Sequence, residues 1–114
     1  MTGWIGVDLD GTLAHYTSWV HHADIGAPVM PMVARVRKWL AEGKTVKIFT
    51  ARVSVPDPAM RAEISEAIRL YTLQHCGQAL EATCCKDLNM IELWDDRAVQ
   101  VIPNTGEPVG GLHD

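Results

Sequence analysis

Residues 4–13 read Trp4-Ile5-Gly6-Val7-Asp8-Leu9-Asp10-Gly11-Thr12-Leu13, an apolar run that ends in two aspartates, a glycine and a threonine. The apolar run predicts a buried strand. Because side chains alternate along a strand, Asp8 and Asp10 should leave its carboxyl end toward the same side, while Leu9 points away. Gly11 permits a sharp turn and lets backbone N–H groups approach an anion. The pattern indicates a ligand site, although Asp-Gly is also a common turn pair.

Length and composition indicate a single domain over residues 1–114. The 114 residues, 47% of them hydrophobic and 21% charged, can bury one core. No apolar run is long enough to span a membrane and no secretory leader is recognised, so we expect a cytoplasmic protein without membrane contact. A net charge of −4 without a Lys/Arg cluster disfavours an extended nucleic-acid-binding surface. The three cysteines, Cys76, Cys84 and Cys85, lack a Cys-x-x-Cys spacing and are expected to be buried thiols in a reducing compartment rather than a zinc site or a disulfide framework.

Strands and helices alternate along the rest of the chain. We expect one helix from Pro31 to Gly43, and a second that begins at Asp57-Pro58 and ends at Gly77. Further strands are predicted over residues 45–50, 82–85 and 90–94, with a short edge strand over 98–102. This alternation predicts an α/β fold, a parallel sheet with helices on both faces. Ligands of such sheets bind beyond the carboxyl ends of the strands.

Residues 14–30 have no clear periodicity, and we interpret them as an irregular loop or small hairpin, called the flap below. Its aromatic residues, among them Tyr16 and Trp19, could either touch a substrate or simply pack. The adjacent His21 and His22 suggest a metal, but neighbouring residues seldom converge on one ion. We therefore expect solvent-facing histidines.

Polar side chains follow the predicted strands at their carboxyl ends: Asp8 and Asp10, Thr50, Lys86, and Asp95 with Asp96. Carboxylates gathered in one cleft repel one another, and they are tolerated only with protons or cations present. Because the expected ligand atoms are all oxygens, a hard divalent ion is favoured, most simply Mg²⁺. The lysine would add a positive charge suited to an anion; the alternative is a solvated surface lysine.

These stretches resemble the motifs of the haloacid dehalogenase-like (HAD) superfamily, whose members are mostly Mg²⁺-dependent phosphatases. The resemblance implies a three-layer, Rossmann-like (HAD-like) fold. Neither place where larger members insert a cap domain has room for one, so no cap domain is expected. One departure is that the lysine lies close before the acidic pair, which leaves little room for a helix between the third and fourth strands. The matching stretches, in motif order, are Asp8-Leu9-Asp10-Gly11-Thr12-Leu13, Ile48-Phe49-Thr50-Ala51-Arg52, Lys86 and Asp95-Asp96.

The resemblance also implies a role for each matching residue. Asp8 would be the nucleophile that forms an aspartyl-phosphate, and Asp10 the general acid and base. Arg52 could equally be an ion-paired residue. The implied Mg²⁺ ligands are Asp8, Asp10 (through its carbonyl), Asp95 and Asp96. The implied phosphate-binding residues are Gly11, Thr50, Ala51, Arg52 and Lys86, of which Thr50 and Lys86 would also assist catalysis.

The expected function is Mg²⁺-dependent hydrolysis of a phosphomonoester at an open site. The substrate could be a small molecule or an exposed phosphate end of a macromolecule. One alternative is a nucleotide or sugar phosphatase whose site an oligomer completes. Another is a non-catalytic module of the same fold that binds Mg²⁺ or a phosphorylated ligand. A receiver domain of the response-regulator kind is disfavoured, because its aspartate would follow a central strand rather than lie in an Asp-x-Asp-Gly-Thr sequence at the first.

Overall fold

A four-stranded parallel sheet with two helices forms the fold. The computed structural model describes residues 3–18 and 21–111. In chain order the elements are β1 (Trp4–Val7), α1 (Met30–Ala41), β2 (Thr45–Phe49), α2 (Pro58–Cys76), β3 (Ala82–Thr83) and β4 (Met90–Trp94), with a single 3₁₀ turn (Ala51–Ser54) after β2. The strand order is β3-β2-β1-β4, and every neighbouring pair is parallel. The predicted α/β class is confirmed.

Local capping chemistry sets the limits of α2. The Asp57 carboxylate accepts a hydrogen bond from the Ala59 N–H at 3.0 Å, which satisfies one of the free N–H groups of the first turn. Gly77 ends the helix with φ +89°, in the left-handed region that favours glycine. Both ends agree with the sequence-based expectation. The first helix, α1, begins one residue before Pro31, and the proline occupies its first turn.

Both helices lie on one face of the sheet. They contact each other, and α1 and α2 cover the apolar side chains that β1 and β2 direct to that face, among them Val7 and Ile48. On the opposite face, Lys47 Nζ lies 4.8 Å from the ring centre of Trp4, whose indole N–H donates to Asp87 at 2.9 Å. Helices on both faces were expected, and the described residues provide them on one. Residues 84–89, which join β3 to β4, are too few for a crossover helix.

Two predicted strands differ from those observed. The third strand covers 82–83 instead of 82–85, because the Thr83 hydroxyl accepts a hydrogen bond from the Cys85 N–H at 3.0 Å and turns the chain. The expected edge strand over 98–102 is not formed. Among the described residues this segment forms an isolated antiparallel bridge between Val101 and Pro108, and its apolar side chains are about half exposed.

The sheet order reverses direction at β1, beside β4. The chain passes outward from β1 through β2 to β3, and then returns to place β4 on the other side of β1. In open parallel sheets, the crevice beyond the carboxyl ends at such a reversal is the usual ligand site. Within the described ranges no helix is long and apolar enough to cross a membrane. Trp19, one of the aromatic residues expected beside the site, lies outside the described residues.

Candidate active site

Three carboxylates meet beyond the ends of β1 and β4. One oxygen each from Asp8, Asp95 and Asp96 lies within 4.8 Å of the other two. The backbone holds the two strand ends together, because the Asp8 N–H donates to the Trp94 carbonyl at 2.9 Å. An open cavity of about 300 Å³ lies here. Its lining includes Asp8, Asp10, Thr50, Arg52, Asp95, Asp96 and Arg97.

Asp8 is held in an environment that opposes its negative charge. Burial contributes most, followed by the charge of Asp95 and a hydrogen bond with Asp96, and together they raise the pKa of Asp8 from 3.8 to about 7. A divalent cation would offset this repulsion, and the side-chain donor atoms of these three residues are all carboxylate oxygens. The three residues therefore fit a hard cation such as Mg²⁺.

The turn after β1 is built around Asp96. Gly11 has φ +90°, and a Cβ atom there would lie 2.6 Å from an Asp96 carboxylate oxygen, so both the backbone conformation and the close approach favour glycine. The Thr12 hydroxyl accepts a hydrogen bond from the Asp96 N–H at 3.1 Å and donates to its carboxylate at 3.3 Å. Residues 84 positions apart are thereby joined. Thr12 was quoted in the motif but given no role by the sequence reasoning.

The Gly11 N–H is engaged within the turn itself. It donates to the Ala14 carbonyl at 2.9 Å. In this conformation the contribution of Gly11 is therefore the space it leaves for Asp96, rather than the backbone N–H donor to a phosphate that the sequence suggested.

Asp10 faces a buried arginine instead of the carboxylate cluster. The Arg52 Nε–H donates to Oδ2 of Asp10 at 2.8 Å and Nη2–H donates to Oδ1 at 2.7 Å, a two-pronged contact. The Arg52 side chain is 2% exposed and that of Asp10 is 16% exposed. The same guanidinium also donates through Nη1 to the carbonyls of His22 and Asp24 in the flap. Arg52 thus joins β2, the flap and the aspartate of the first turn.

The end of β2 supplies the polar residues that the second matching stretch predicted. Thr50 is 2% exposed, its N–H donates to the Thr83 carbonyl at 2.9 Å, and its hydroxyl accepts a hydrogen bond from the Arg52 N–H at 3.2 Å. This contact starts the 3₁₀ turn and directs Arg52 inward. Ala51 also lines the cavity. Thr50, Ala51 and Arg52 are therefore adjacent to the carboxylates in space as well as in the predicted order of motifs.

Lys86 lies apart from this group. It is exposed in the segment between β3 and β4, and it is not among the described residues that line the cavity. The cavity wall includes Tyr16 from the flap and Arg97 from the segment after β4. The Arg97 N–H donates to the Asp95 carboxylate at 2.8 Å, so this arginine's backbone helps to orient a carboxylate of the cluster.

Backbone pairing at its base fixes the flap beside the cavity. The His15 N–H donates to the Ala27 carbonyl at 2.8 Å, and the Val29 N–H donates to the Leu13 carbonyl at 2.8 Å. Gly26 is required here, since a Cβ atom would lie 2.0 Å from the His15 carbonyl oxygen. The flap therefore has the base of a small hairpin.

Comparison with known proteins assigns no family to the chain, because no family model, no curated protein and no solved structure matches it significantly.

Proposed function

We propose that the chain is a Mg²⁺-dependent phosphomonoester hydrolase that works through an aspartyl-phosphate at an open site. The observation that carries the proposal is the convergence of Asp8 with Asp95 and Asp96, beside an Asp10 carboxylate that is held separately by Arg52. One carboxylate lies in the cation-binding group and the other is kept out of it. The two aspartates thus lie in different environments, which is consistent with separate roles as nucleophile and as acid or base.

In the proposed reaction, an Asp8 oxygen attacks the phosphorus atom, and the bond from phosphorus to the alcohol oxygen breaks. The departing alcohol takes a proton from Asp10, which must enter this step protonated. Water then attacks the phosphorus of the aspartyl-phosphate and gives a proton back to Asp10, so that phosphate and free Asp8 are released. Mg²⁺ held by Asp8, Asp95 and Asp96 would reduce the repulsion between the carboxylate and the phosphate. Thr50 and Arg52 would orient phosphoryl oxygens.

The Arg52 contact constrains the proposed Asp10 role. Both Asp10 oxygens accept guanidinium N–H groups in this conformation, so neither is directed at a substrate or a water molecule. To exchange a proton with either, Asp10 must first turn away from Arg52. The arginine itself can stay in place during this movement, because the two flap carbonyls also hold it.

The same contact supports the second candidate function, a non-catalytic module that binds Mg²⁺ or a phosphorylated ligand. In that case Asp10 would be a structural partner of Arg52 and would never carry a proton.

The proposed fold is a compact, capless HAD-like arrangement, in which side chains such as Trp4 cover the sheet face that a second layer of helices would otherwise cover. An oligomer that completes the site would show itself by activity per molecule that rises with protein concentration.

Hydrolysis of an aryl phosphate, measured with Mg²⁺ and with EDTA, tests the proposal. We expect activity that needs Mg²⁺ and is abolished in Asp8→Asn, with Glu81→Gln as an exposed carboxylate-to-amide control. In Asp10→Asn, acid-quenched protein should carry phosphate on Asp8, since the second step lacks its base. Full activity in Asp8→Asn would refute the mechanism. Mg²⁺ or phosphate binding without turnover under any condition would favour the binding module.

A further inference from the structure

A second group of metal-ligating side chains lies outside the carboxylate cluster, between the flap and α2. The His22 Nε2–H donates to Oε1 of Glu63 at 2.7 Å, and His21 Nε2 lies 4.0 Å from Oε2 of the same residue. One ligand atom from each of these three residues lies within 4.8 Å of the other two. This group is independent of the proposed hydrolase chemistry.

A turn in the flap makes the two adjacent histidines converge. Neighbouring side chains point apart along an extended chain. Here the Asp24 N–H donates to the His21 carbonyl at 3.0 Å and folds the backbone, and the two imidazole centres come within 4.0 Å of each other. Their partner Glu63 projects from the 19-residue helix α2. The expectation that the histidines would simply face solvent left out this partner, which lies 41 positions away from His22.

We propose that His21, His22 and Glu63 form a binding site for a divalent transition metal of the zinc class. Two imidazoles and one carboxylate are a known zinc donor set, with a fourth position left for water. Imidazole also distinguishes such a metal from Mg²⁺, which prefers oxygen ligands. Ligand atoms around a tetrahedral zinc, at bonds of about 2.0–2.2 Å, are roughly 3.4 Å apart. The observed separations of 2.7 and 4.0 Å lie on either side of that distance.

Only small adjustments are needed to admit the metal. The side chains of His21 and Glu63 are 51% and 53% exposed, so each can rotate without displacing packed neighbours. Metal on Nε2 of either histidine requires that ring to carry its proton on Nδ1. For His22, zinc would take the place of the Nε2–H that now donates to Glu63, and the freed carboxylate oxygen would become a ligand. For His21, a proton on Nδ1 would end the hydrogen bond that Nδ1 now accepts from the Ala23 N–H at 3.2 Å, a long contact.

Metal at this position would fasten the flap to α2. The His22 carbonyl accepts a hydrogen bond from Arg52 Nη1 at 3.0 Å, so the backbone next to one ligand is also an anchor of Arg52. At the other end of the flap, the Tyr71 hydroxyl donates to the Gly26 carbonyl at 2.9 Å. The metal would therefore replace the His22–Glu63 hydrogen bond with stronger coordination bonds, beside the Tyr71 attachment between the same two elements.

Zinc binding to the full chain tests this site. The protein, freed of metal by chelation, is titrated with Zn²⁺ against a chromophoric chelator, with excess Mg²⁺ to occupy the carboxylate cluster. We expect one Zn²⁺ per chain. His22→Ala and the shape-conserving Glu63→Gln should each raise the Kd at least about tenfold, since even loss of a residue that merely supports a ligand costs that much. Matched controls are His15→Ala, an exposed flap histidine, and Glu66→Gln, an exposed glutamate of α2.

Two further measurements separate this site from the carboxylate cluster. Asp8→Asn should leave the Zn²⁺ affinity unchanged, and imidazole NMR signals of His21 and His22, but not His15, should shift on Zn²⁺ addition. The proposal is overturned if Zn²⁺ binding is lost in Asp8→Asn and kept in His22→Ala. It is equally overturned if the wild type binds no Zn²⁺ under these conditions, or binds it undiminished in both His22→Ala and Glu63→Gln.

Discussion

Arg52 and Asp10 form a two-pronged ion pair in which both carboxylate oxygens accept guanidinium N–H groups, at 2.7 and 2.8 Å. The pair connects residues 42 positions apart, and the arginine is almost fully buried. Since the guanidinium also bonds two flap carbonyls, one side chain fixes an aspartate of the site and the loop beside it.

Loss of Arg52 should destabilise the fold. Arg52→Gln removes the partner of a largely buried carboxylate and leaves flap carbonyls without donors, so we expect the free energy of unfolding to fall by about 3 kcal/mol. Urea unfolding measures this change. Arg52→Lys keeps the positive charge but cannot donate to both Asp10 oxygens in parallel, so its free energy of unfolding should fall by a smaller amount. Arg69→Gln breaks an exposed pair with Glu66 and should cost under about 1 kcal/mol. Equal losses in Arg52→Gln and Arg69→Gln would contradict the role assigned to the buried pair.

The raised pKa of Asp8 predicts a pH-dependent penalty in protein without metal. The pKa of Asp8 is about 7 in the folded state, against 3.8 for the free, solvent-exposed side chain, so the fold disfavours the ionised form. The penalty is absent below the lower value, grows between the two, and is complete above the upper one. Asp8→Asn should therefore stabilise the chain at alkaline pH in EDTA, by about 1–2 kcal/mol after allowance for solvent screening.

Asp87→Asn provides a control of opposite sign for this experiment. Hydrogen bonds from the Trp4 indole and then from the Asn89 N–H lower the pKa of Asp87, so its ionised form contributes stability above the ordinary carboxyl pKa. Its replacement should reduce stability at neutral pH and have no effect in acid. Thermal unfolding from acid to alkaline pH measures both variants. Parallel pH profiles for the two variants would exclude the assigned causes.

Gly11→Ala should disturb the cation site as well as the backbone. Alanine at φ +90° is strained, and its Cβ would push Asp96 aside. Gly43→Ala is a matched control, because Gly43 has φ +82° and nothing lies within 4 Å of the added Cβ. Both variants should lose about 1–2 kcal/mol of stability. If Mg²⁺ binds at the proposed site it should raise the Tm of the wild type, and only Gly11→Ala should lose that rise. An equal Mg²⁺ response in the two variants would show that Asp96 does not take part.

Thr12→Val should weaken Mg²⁺ binding by releasing Asp96. The variant removes a hydroxyl that bonds both the backbone and the carboxylate of Asp96. The Thr105 hydroxyl makes a comparable pair of hydrogen bonds in an exposed turn: it accepts from the Glu107 N–H and donates to the Ile102 carbonyl. Thr105→Val is therefore the control. Each change should cost about 1 kcal/mol of stability. Calorimetric titration should distinguish the two variants, because only Thr12→Val should bind Mg²⁺ more weakly than the wild type.

Features set by local chemistry could be predicted from the sequence. The apolar run of β1, the Asp57 cap and the Gly77 end of α2 each depend on a few neighbouring residues. The placement of Asp8, Asp95 and Asp96 at one sheet edge followed from the alternation of strands and helices. The roles given to those residues stay predictions.

Features that depend on long-range contacts could not be predicted in the same way. Nothing local in the sequence indicates that Arg52 turns inward to Asp10, since an arginine after a strand is equally compatible with an exposed position. The pairing of Glu63 with two flap histidines is of the same kind. The strand expected over 98–102 is a different case. This segment does not join the sheet beside β4, and it bridges instead to the following stretch of chain, between Val101 and Pro108.

The flap holds Arg52 through main-chain carbonyls at positions 22 and 24, and every amino acid carries a carbonyl there. Apart from Gly26, side chains of the flap can therefore change during evolution while the arginine keeps its anchors. Changes in these side chains are thus separated from the groups proposed to perform chemistry. A library that randomises exposed flap positions 15–18 should accordingly yield many folded variants, with altered ligand preference and an intact Arg52–Asp10 pair.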